Sequence, residues 1–159
     1  WPGGVRLVIV GDGIERRKVE AAKADPLLLW LGRQPYEAIP AILRGAVAAL
    51  CVIEDQDGRS SSGVAPLKLF EAMACGIPVI VSDLPFQAQI VARAGAGLVV
   101  PPASAAAIAA AVRTLGEAPD KAATLGRNGA IYVAREASWK QRGRDLDRIL
   151  MSQLTAAVG

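Results

Sequence analysis

The sequence predicts an α/β fold: a parallel sheet with helices on both faces, followed by a helical tail. Three observations carry this. Over roughly the first hundred residues, short β-branched apolar runs alternate with stretches of helix-forming composition, the pattern of strand–helix–strand units. From Pro119 onward the strand-like runs stop and the helical stretches continue. Of 159 residues, 52% are hydrophobic and 21% charged, with a net charge of +3, which supplies a core and excludes a disordered chain.

The elements follow in order. Arg6–Val10 is a β-branched run ended by Gly11-Asp12-Gly13, a buried strand entering a tight turn. Ile14–Ala24 is helical in composition and stops at Asp25-Pro26. Leu27–Leu31 is a second strand, closed by Gly32. Tyr36–Arg44 is a short helix that Pro40 limits or kinks. Ala46–Ile53 is a third strand, and the stretch from Glu54 to Gly63 is a polar loop with almost nothing to bury. Pro66 suits a first helical position, Leu67–Cys75 is a helix, and Gly76 stops it. Pro78–Val81 is a fourth strand, Leu84–Ala94 a helix ended by Gly95, and Leu98–Val100 a short strand before Pro101-Pro102. Ser104 caps an Ala-rich helix reaching about Gly116. Pro119–Glu136 reads as one helix with Gly126 and Gly129 as weak points, and Ser138 caps another running from Trp139 to about Leu154. Residues 1–118 form the core and 119–159 the C-terminal helices of the same domain. In the last helix Trp139, Leu146, Ile149 and Leu150 fall at helical spacings, a stripe expected to be partly exposed or covered by another copy of the chain.

Composition removes several chemistries. With no His, Ser-His-Asp and Cys-His nucleophile systems and His-based metal sites are out. Two cysteines, Cys51 and Cys75, cannot build a thiolate zinc site and read as reduced thiols of a cytoplasmic protein. No apolar run reaches the ~18 residues of a membrane-spanning helix. The first residues, Trp1-Pro2-Gly3-Gly4, show no signal peptide and no initiator Met, as expected of a piece of a longer protein. The small positive charge suits an anionic ligand and does not indicate nucleic acid.

Ligands of open parallel sheets bind at the C-terminal ends of the strands. Three segments lie there: Gly11-Asp12-Gly13, Gly32-Arg33-Gln34-Pro35, and the loop through Ser60, Ser61, Ser62 and Gly63 to Pro66. The first lacks the third glycine of a dinucleotide fingerprint, because position 16 is Arg16, and reads as a tight turn. In the third, a Gly- and Ser-bearing approach opens a helix whose first-turn N–H groups and partial positive charge suit a diphosphate without a metal. Lys68 lies in that first turn and Glu71 one turn further on.

The run from Pro66 through Phe70-Glu71-Ala72-Met73-Ala74-Cys75-Gly76 to Ser82-Asp83-Leu84-Pro85 resembles the signature of the group 1 (family 4) retaining glycosyltransferases. Leu7–Gly13, Leu29–Gly32 with Tyr36–Arg44, and Ala137-Ser138-Trp139 also resemble segments of that family's nucleotide-binding domain. The resemblance implies a Rossmann-like sheet that is the C-terminal half of a two-domain GT-B enzyme. It implies that Glu71 hydrogen-bonds ribose hydroxyls and that backbone amides around Ala65 to Leu67 meet the diphosphate, with Gly63, Val64, Ala65, Pro66, Leu67 and Lys68 together as donor-binding positions. Arg33 and Gln34 lie beside the base, and Gly11 closes the first strand at the donor side. The nucleotide sugar is the substrate, transferred with retention and without metal or other cofactor, and no catalytic residue is assigned in this chain. The implied partners are the nucleotide sugar and an N-terminal acceptor-binding domain of the parent, in the cytoplasm, with contact to the inner face of a membrane left open.

The sequence departs from the family pattern in three places. The glutamate usual eight positions before Glu71 is replaced by Gly63. That carboxylate ordinarily touches the donor sugar, so the sugar stays unassigned. A glutamate usual after Ser82-Asp83 is Gln89, and the Arg and Lys that neutralise the diphosphate belong upstream of Leu7. Two alternatives stand beside the donor-binding reading: a non-catalytic scaffold or interaction domain, motivated by Gly63, and a nicotinamide-binding domain, weakened by Arg16. The chain by itself is expected to be catalytically silent and to bind a nucleoside diphosphate weakly.

Overall fold

Apolar runs separated by glycine and proline form the strands; the fully buried one, Val79–Ser82, is the continuous β-branched segment that a sheet covered on both faces selects, whereas Val8 and Leu29 of the first two strands, the first expected to be buried, are partly exposed. The computed structural model describes residues 3–54 and 66–158. Its strands are β1 (Leu7–Ile9), β2 (Leu28–Trp30), β3 (Ala49–Cys51), β4 (Val79–Ser82) and β5 (Gly97–Val100). Helices α1 (Arg16–Ala21), α2 (Ile39–Arg44), α3 (Leu67–Ala74) and α4 (Pro85–Ala94) run between them. Then come α5 (Ala105–Glu117), α6 (Pro119–Tyr132) and α7 (Trp139–Val158). All strand pairs are parallel, with Leu7 opposite Leu28, Ala49 opposite Val79, and Val79 opposite Gly97.

The strands form two sheets among the described residues, β1-β2 and β3-β4-β5, where the sequence suggested one. Each strand pairs with the neighbour that its own crossover helix delivers: α1 joins β1 to β2, α3 joins β3 to β4, and α4 joins β4 to β5. The link from β2 to β3 delivers no such pair.

β4 is the centre of the larger sheet, and all four of its residues are buried. Val79 and Val81 pack with Leu69 and Met73 of α3 and Val91 of α4. Ile80 points to the other cluster, with Val112 and Leu115 of α5 and Ala122 of α6. The alternation of side chains along a strand thus puts one core on each face. Val5, just before β1, packs on the second cluster and Leu43 of α2 on the first.

Several boundaries moved for local reasons. α1 is shorter than the helical composition suggested and buries no residue, so no packing extends it. A 3-10 turn, Tyr36–Ala38, leads into α2, where Pro40 falls in the first turn and costs no hydrogen bond. Pro66 is the residue before α3, with an extended backbone at φ −64° and ψ 137°, rather than its first helical residue. Ser104 caps α5 as expected, its Oγ accepting from the Ala107 N–H at 3.3 Å. The single helix expected from Pro119 to Glu136 ends at Tyr132 and continues as a π turn, Val133–Ala137. Ser138 caps α7, its Oγ accepting from the Gln141 N–H at 3.2 Å. Trp139 is 83% exposed and Leu146, Ile149 and Leu150 are each more than half exposed, so the expected apolar stripe does face outward. No helix among the described residues is long and apolar enough to cross a membrane.

Candidate functional site

The C-terminal ends of β1 and β2 are closed by two glycines in left-handed conformations, Gly11 at φ 127° and Gly32 at φ 64°. An L-side chain rarely adopts these angles, which explains glycine at both. The Gly11 N–H donates to the Gly32 carbonyl at 2.7 Å, and the Trp30 indole N–H donates to the Gly11 carbonyl at 2.9 Å. Among the described residues, chain neighbours aside, no atom lies within 4 Å of where a Cβ would stand at either glycine. Trp30 is itself covered by the cations of Arg16, at 5.4 Å, and Lys23, at 4.7 Å.

Beyond Gly32 the chain carries Arg33 and Gln34, both exposed, with the Gln34 amide donating to the Leu31 carbonyl at 2.6 Å. Pro35 then sets the extended approach to the 3-10 turn that begins at Tyr36. Across from this turn stands α3. Leu69, Ala72 and Met73 are buried and hold it on the sheet, leaving Leu67 and Lys68 exposed and Glu71 half-buried. The Tyr36 hydroxyl donates to Glu71 Oε1 at 3.1 Å. That hydrogen bond, reinforced by the carboxylate charge, holds the phenol's ionisation above its ordinary value of 10.0.

The start of α3 has no side-chain cap among the described residues, and no acidic residue stands in its first turn. The Leu69 N–H already donates to the Pro66 carbonyl, which leaves the N–H groups of Leu67 and Lys68 at the head of the helix. Lys68 lies close enough to β3 to act on Cys51. Burial pushes that thiol up to about 11, and the Lys68 charge opposes the rise. On the β1 side, Lys18 is held above its ordinary value by its hydrogen bond to Glu15, with a smaller contribution from Glu54 just past β3. The Tyr36–Glu71 hydrogen bond, between the turn after β2 and the helix after β3, sets the C-terminal strand ends of the two sheets side by side.

The structure places Leu67, Lys68 and Glu71 on α3 with Pro66 just before it, and sets the Arg33–Tyr36 turn beside them. Gly63, Val64 and Ala65 lie outside the described residues, as does most of the polar loop. Two features were not legible in advance. In sequence Tyr36 reads only as a helix start, and nothing local pairs it with a residue 35 positions away. Ser82, at the end of β4, is buried, and its Oγ accepts from the Ile53 N–H at 2.9 Å and donates to the Ile53 carbonyl at 2.8 Å. It thereby fixes the chain at the exit of β3. Gln87 of α4, also buried, donates to the Ser82 carbonyl at 2.8 Å. Among the described residues no group of three or more His, Cys, Asp or Glu side chains is placed to hold a metal ion.

A model of the glycosyl transferases group 1 family matches residues 3–131. Among solved structures, sucrose-phosphate synthase from Thermosynechococcus elongatus is 29% identical over 96% of this chain and 39% of its own, with a TM-score of 0.77. HepE from Anabaena, solved in complex with UDP, is 18% identical over 95% of this chain and 42% of its own, with a TM-score of 0.78. The C-terminal domain of a group 1 glycosyl transferase family protein, LpcC, from Francisella tularensis is 22% identical over 77% of this chain and 60% of its own, at a TM-score of 0.61. The chain thus spans less than two thirds of the length of each of these relatives. A comparison with curated proteins gives no match.

Proposed function

The chain belongs to the group 1 glycosyl transferases, and from that premise we propose that it is the nucleotide-sugar-binding part of a retaining glycosyltransferase. The observation that carries the reading is the Glu71 carboxylate, held half-buried on α3 opposite the turn after β2, at the edge where parallel strands end. A carboxylate accepts hydrogen bonds only, so it suits the vicinal hydroxyls of a ribose. The start of α3, which no described side chain caps, suits a diphosphate by its first-turn N–H groups and helix dipole, with Lys68 adding a charge. In this reading Gly63, Val64 and Ala65 complete that approach, Arg33 and Gln34 flank the base, and Gly11 leaves room over β1. HepE has been solved both with UDP and with UDP-glucose, which supports a nucleotide sugar as the ligand class. No metal and no further cofactor enters the proposal.

The parent protein supplies the second wall of the cleft, an N-terminal acceptor-binding domain, and the exposed stripe of α7 is the surface offered to it. Transfer requires acceptor and donor held together with water excluded. The chain on its own is therefore proposed to bind without turnover. A cytoplasmic setting, with the membrane reached only through the parent, fits this reading. Gly63, in place of a carboxylate, favours one alternative, a non-catalytic scaffold that keeps the fold and has lost sugar recognition.

Calorimetric titration of UDP, GDP and ADP into the chain tests the proposal. Glu71→Ala should weaken the tightest of these roughly tenfold to hundredfold, the effect of losing charge-assisted hydrogen bonds worth about 1.5–3 kcal/mol. Glu117→Ala, at the exposed end of α5, should leave affinity unchanged. Equal affinity of Glu71→Ala and wild type would refute the ribose assignment, and failure of every nucleoside diphosphate to bind would refute the reading as a whole.

A further inference from the structure

We infer that Tyr36 is a positioning residue for nucleotide recognition: its hydroxyl fixes the Glu71 carboxylate in the orientation that accepts the ribose hydroxyls. The inference rests on the reading of Glu71 given above, and it concerns a residue to which that reading gives no role.

The geometry singles out Tyr36. It stands on the 3-10 turn between β2 and α2, and reaches Glu71 on α3 with a 3.1 Å hydrogen bond. The ring is 69% exposed, so burial does not force the phenol to find a partner there. A phenol with that much freedom could be hydrated at no cost, and it is instead spent on one carboxylate oxygen. The phenol's ionisation lies above its ordinary range in this setting, so it remains an O–H donor at neutral pH. A carboxylate offers about four acceptor positions. Tyr36 takes one on Oε1 and leaves Oε2 and the rest of Oε1 for a vicinal diol. A free glutamate loses rotamer freedom when it engages a ligand, and a residue that holds it beforehand lowers that cost.

The bond also joins two parts of the molecule that share no strand pair. Tyr36 follows β2 of the smaller sheet, whereas α3 packs on β3 and β4 of the larger one. Ribose recognition at Glu71 is thereby tied to the placement of the Arg33–Tyr36 turn.

The test separates a role exercised through Glu71 from a general structural one. UDP and its 2′-deoxy and 3′-deoxy analogues are titrated into wild type, Tyr36→Phe, Glu71→Ala and the double variant. Phenylalanine keeps the ring and removes only the donor. Tyr36→Phe should bind UDP about three- to tenfold more weakly, a smaller loss than removing the Glu71 carboxylate itself, because the change costs only its pre-orientation. It should also discriminate less between UDP and the deoxy analogues by a similar factor. In the Glu71→Ala background the same change should have an effect of less than twofold, because the group it acts through is gone. If Glu71→Ala weakens UDP while Tyr36→Phe treats all three ligands as wild type does, the positioning role is wrong and the ribose assignment survives. If Tyr36→Phe weakens all three ligands equally, with or without Glu71, the tyrosine acts on something else and the inference is likewise wrong. If Glu71→Ala itself has no effect, or if neither these ligands nor GDP and ADP bind wild type, the ribose assignment falls and this inference with it.

Discussion

Gly126 lies inside α6, buried, and a Cβ built there would stand 1.9 Å from the carbonyl oxygen of Gly76 and 2.8 Å from its carbonyl carbon. The clashing atoms are backbone, at the turn that ends α3, so no side chain can swing aside. To bring the contact from 1.9 Å to an ordinary 3.4 Å, α6 must back away from α3 or the turn must deform. Gly129 on the same helix would meet Met73 Cβ at 3.2 Å and Ala96 Cβ at 3.3 Å, so the contact is tight along this face and local relief is small. Overpacking of a filled interior costs about 1–3 kcal/mol and sometimes more. A backbone clash of this depth belongs at or above the upper end. Against it stands the better helix propensity of alanine, about 1 kcal/mol. Gly126→Ala is therefore expected to destabilise by roughly 2 kcal/mol or more. Gly116 in α5 is the counterpart: it is exposed and helical, and among the described residues nothing outside its own helix backbone lies within 4 Å of its Cβ position. There the same substitution should stabilise by about 0.5–1 kcal/mol. Urea denaturation followed by circular dichroism gives both midpoints under one set of conditions. If Gly126→Ala is as stable as Gly116→Ala, the close approach of α6 to the end of α3 is wrong.

Three further expectations concern the sheet. Ser82→Ala removes both hydrogen bonds to the half-buried Ile53 backbone and should cost about 1–3 kcal/mol by the same denaturation assay; a change below a few tenths would discount the Ser82 clasp. In Cys75→Ala protein, Cys51, buried on β3 and pushed up to about 11, should stay unreactive to a thiol reagent at pH 8 until denaturant is added. The same shift sets a sign: the unfolded thiol ionises near 9.0, so between pH 9 and 11 the unfolded chain binds fewer protons than the native one and stability falls. The loss is on the order of 2–3 kcal/mol by pH 11 and should be absent in Cys51→Ala, where an unchanged slope would contradict the assignment.

What the sequence disclosed depended on how local the cause was. β4 could be located because a strand covered on both faces is apolar throughout, and Val79-Ile80-Val81 is such a run. Gly95 could be identified as a helix stop because the left-handed cap, at φ 56°, is a property of the residue itself. Ser104 and Ser138 act through N–H groups three residues away, within the reach of pattern reading. Gly126 and Gly129 went the other way. In sequence they weaken a helix, and in the structure they are the residues that let α6 reach α3. Distance between helices leaves no local signal. The same holds for the split of the strands into two sheets and for the Tyr36–Glu71 bond. Glu71 was legible through the resemblance of its surroundings, while its partner was visible only once β2 and α3 had been placed.

The placement of that partner bears on how the molecule holds together. A two-stranded sheet is marginal by itself, so β1 and β2 depend on what they pack against. Among the described residues, that support includes Val5 on the second core cluster and Leu43, at the far end of the β2–β3 link, on the first. Tyr36 adds a polar tie at the other end of the same link. A ligand that engaged Glu71 together with the Arg33–Tyr36 turn would act across the junction, and its binding energy would stabilise the docked arrangement by mass action. The elements that position the site and those that secure the smaller sheet are then the same few residues. A substitution at Tyr36 is felt at the carboxylate it orients, whereas one at Leu43 or Val5 is felt as loss of packing. Comparing affinity with unfolding free energy for the same variants distinguishes the two.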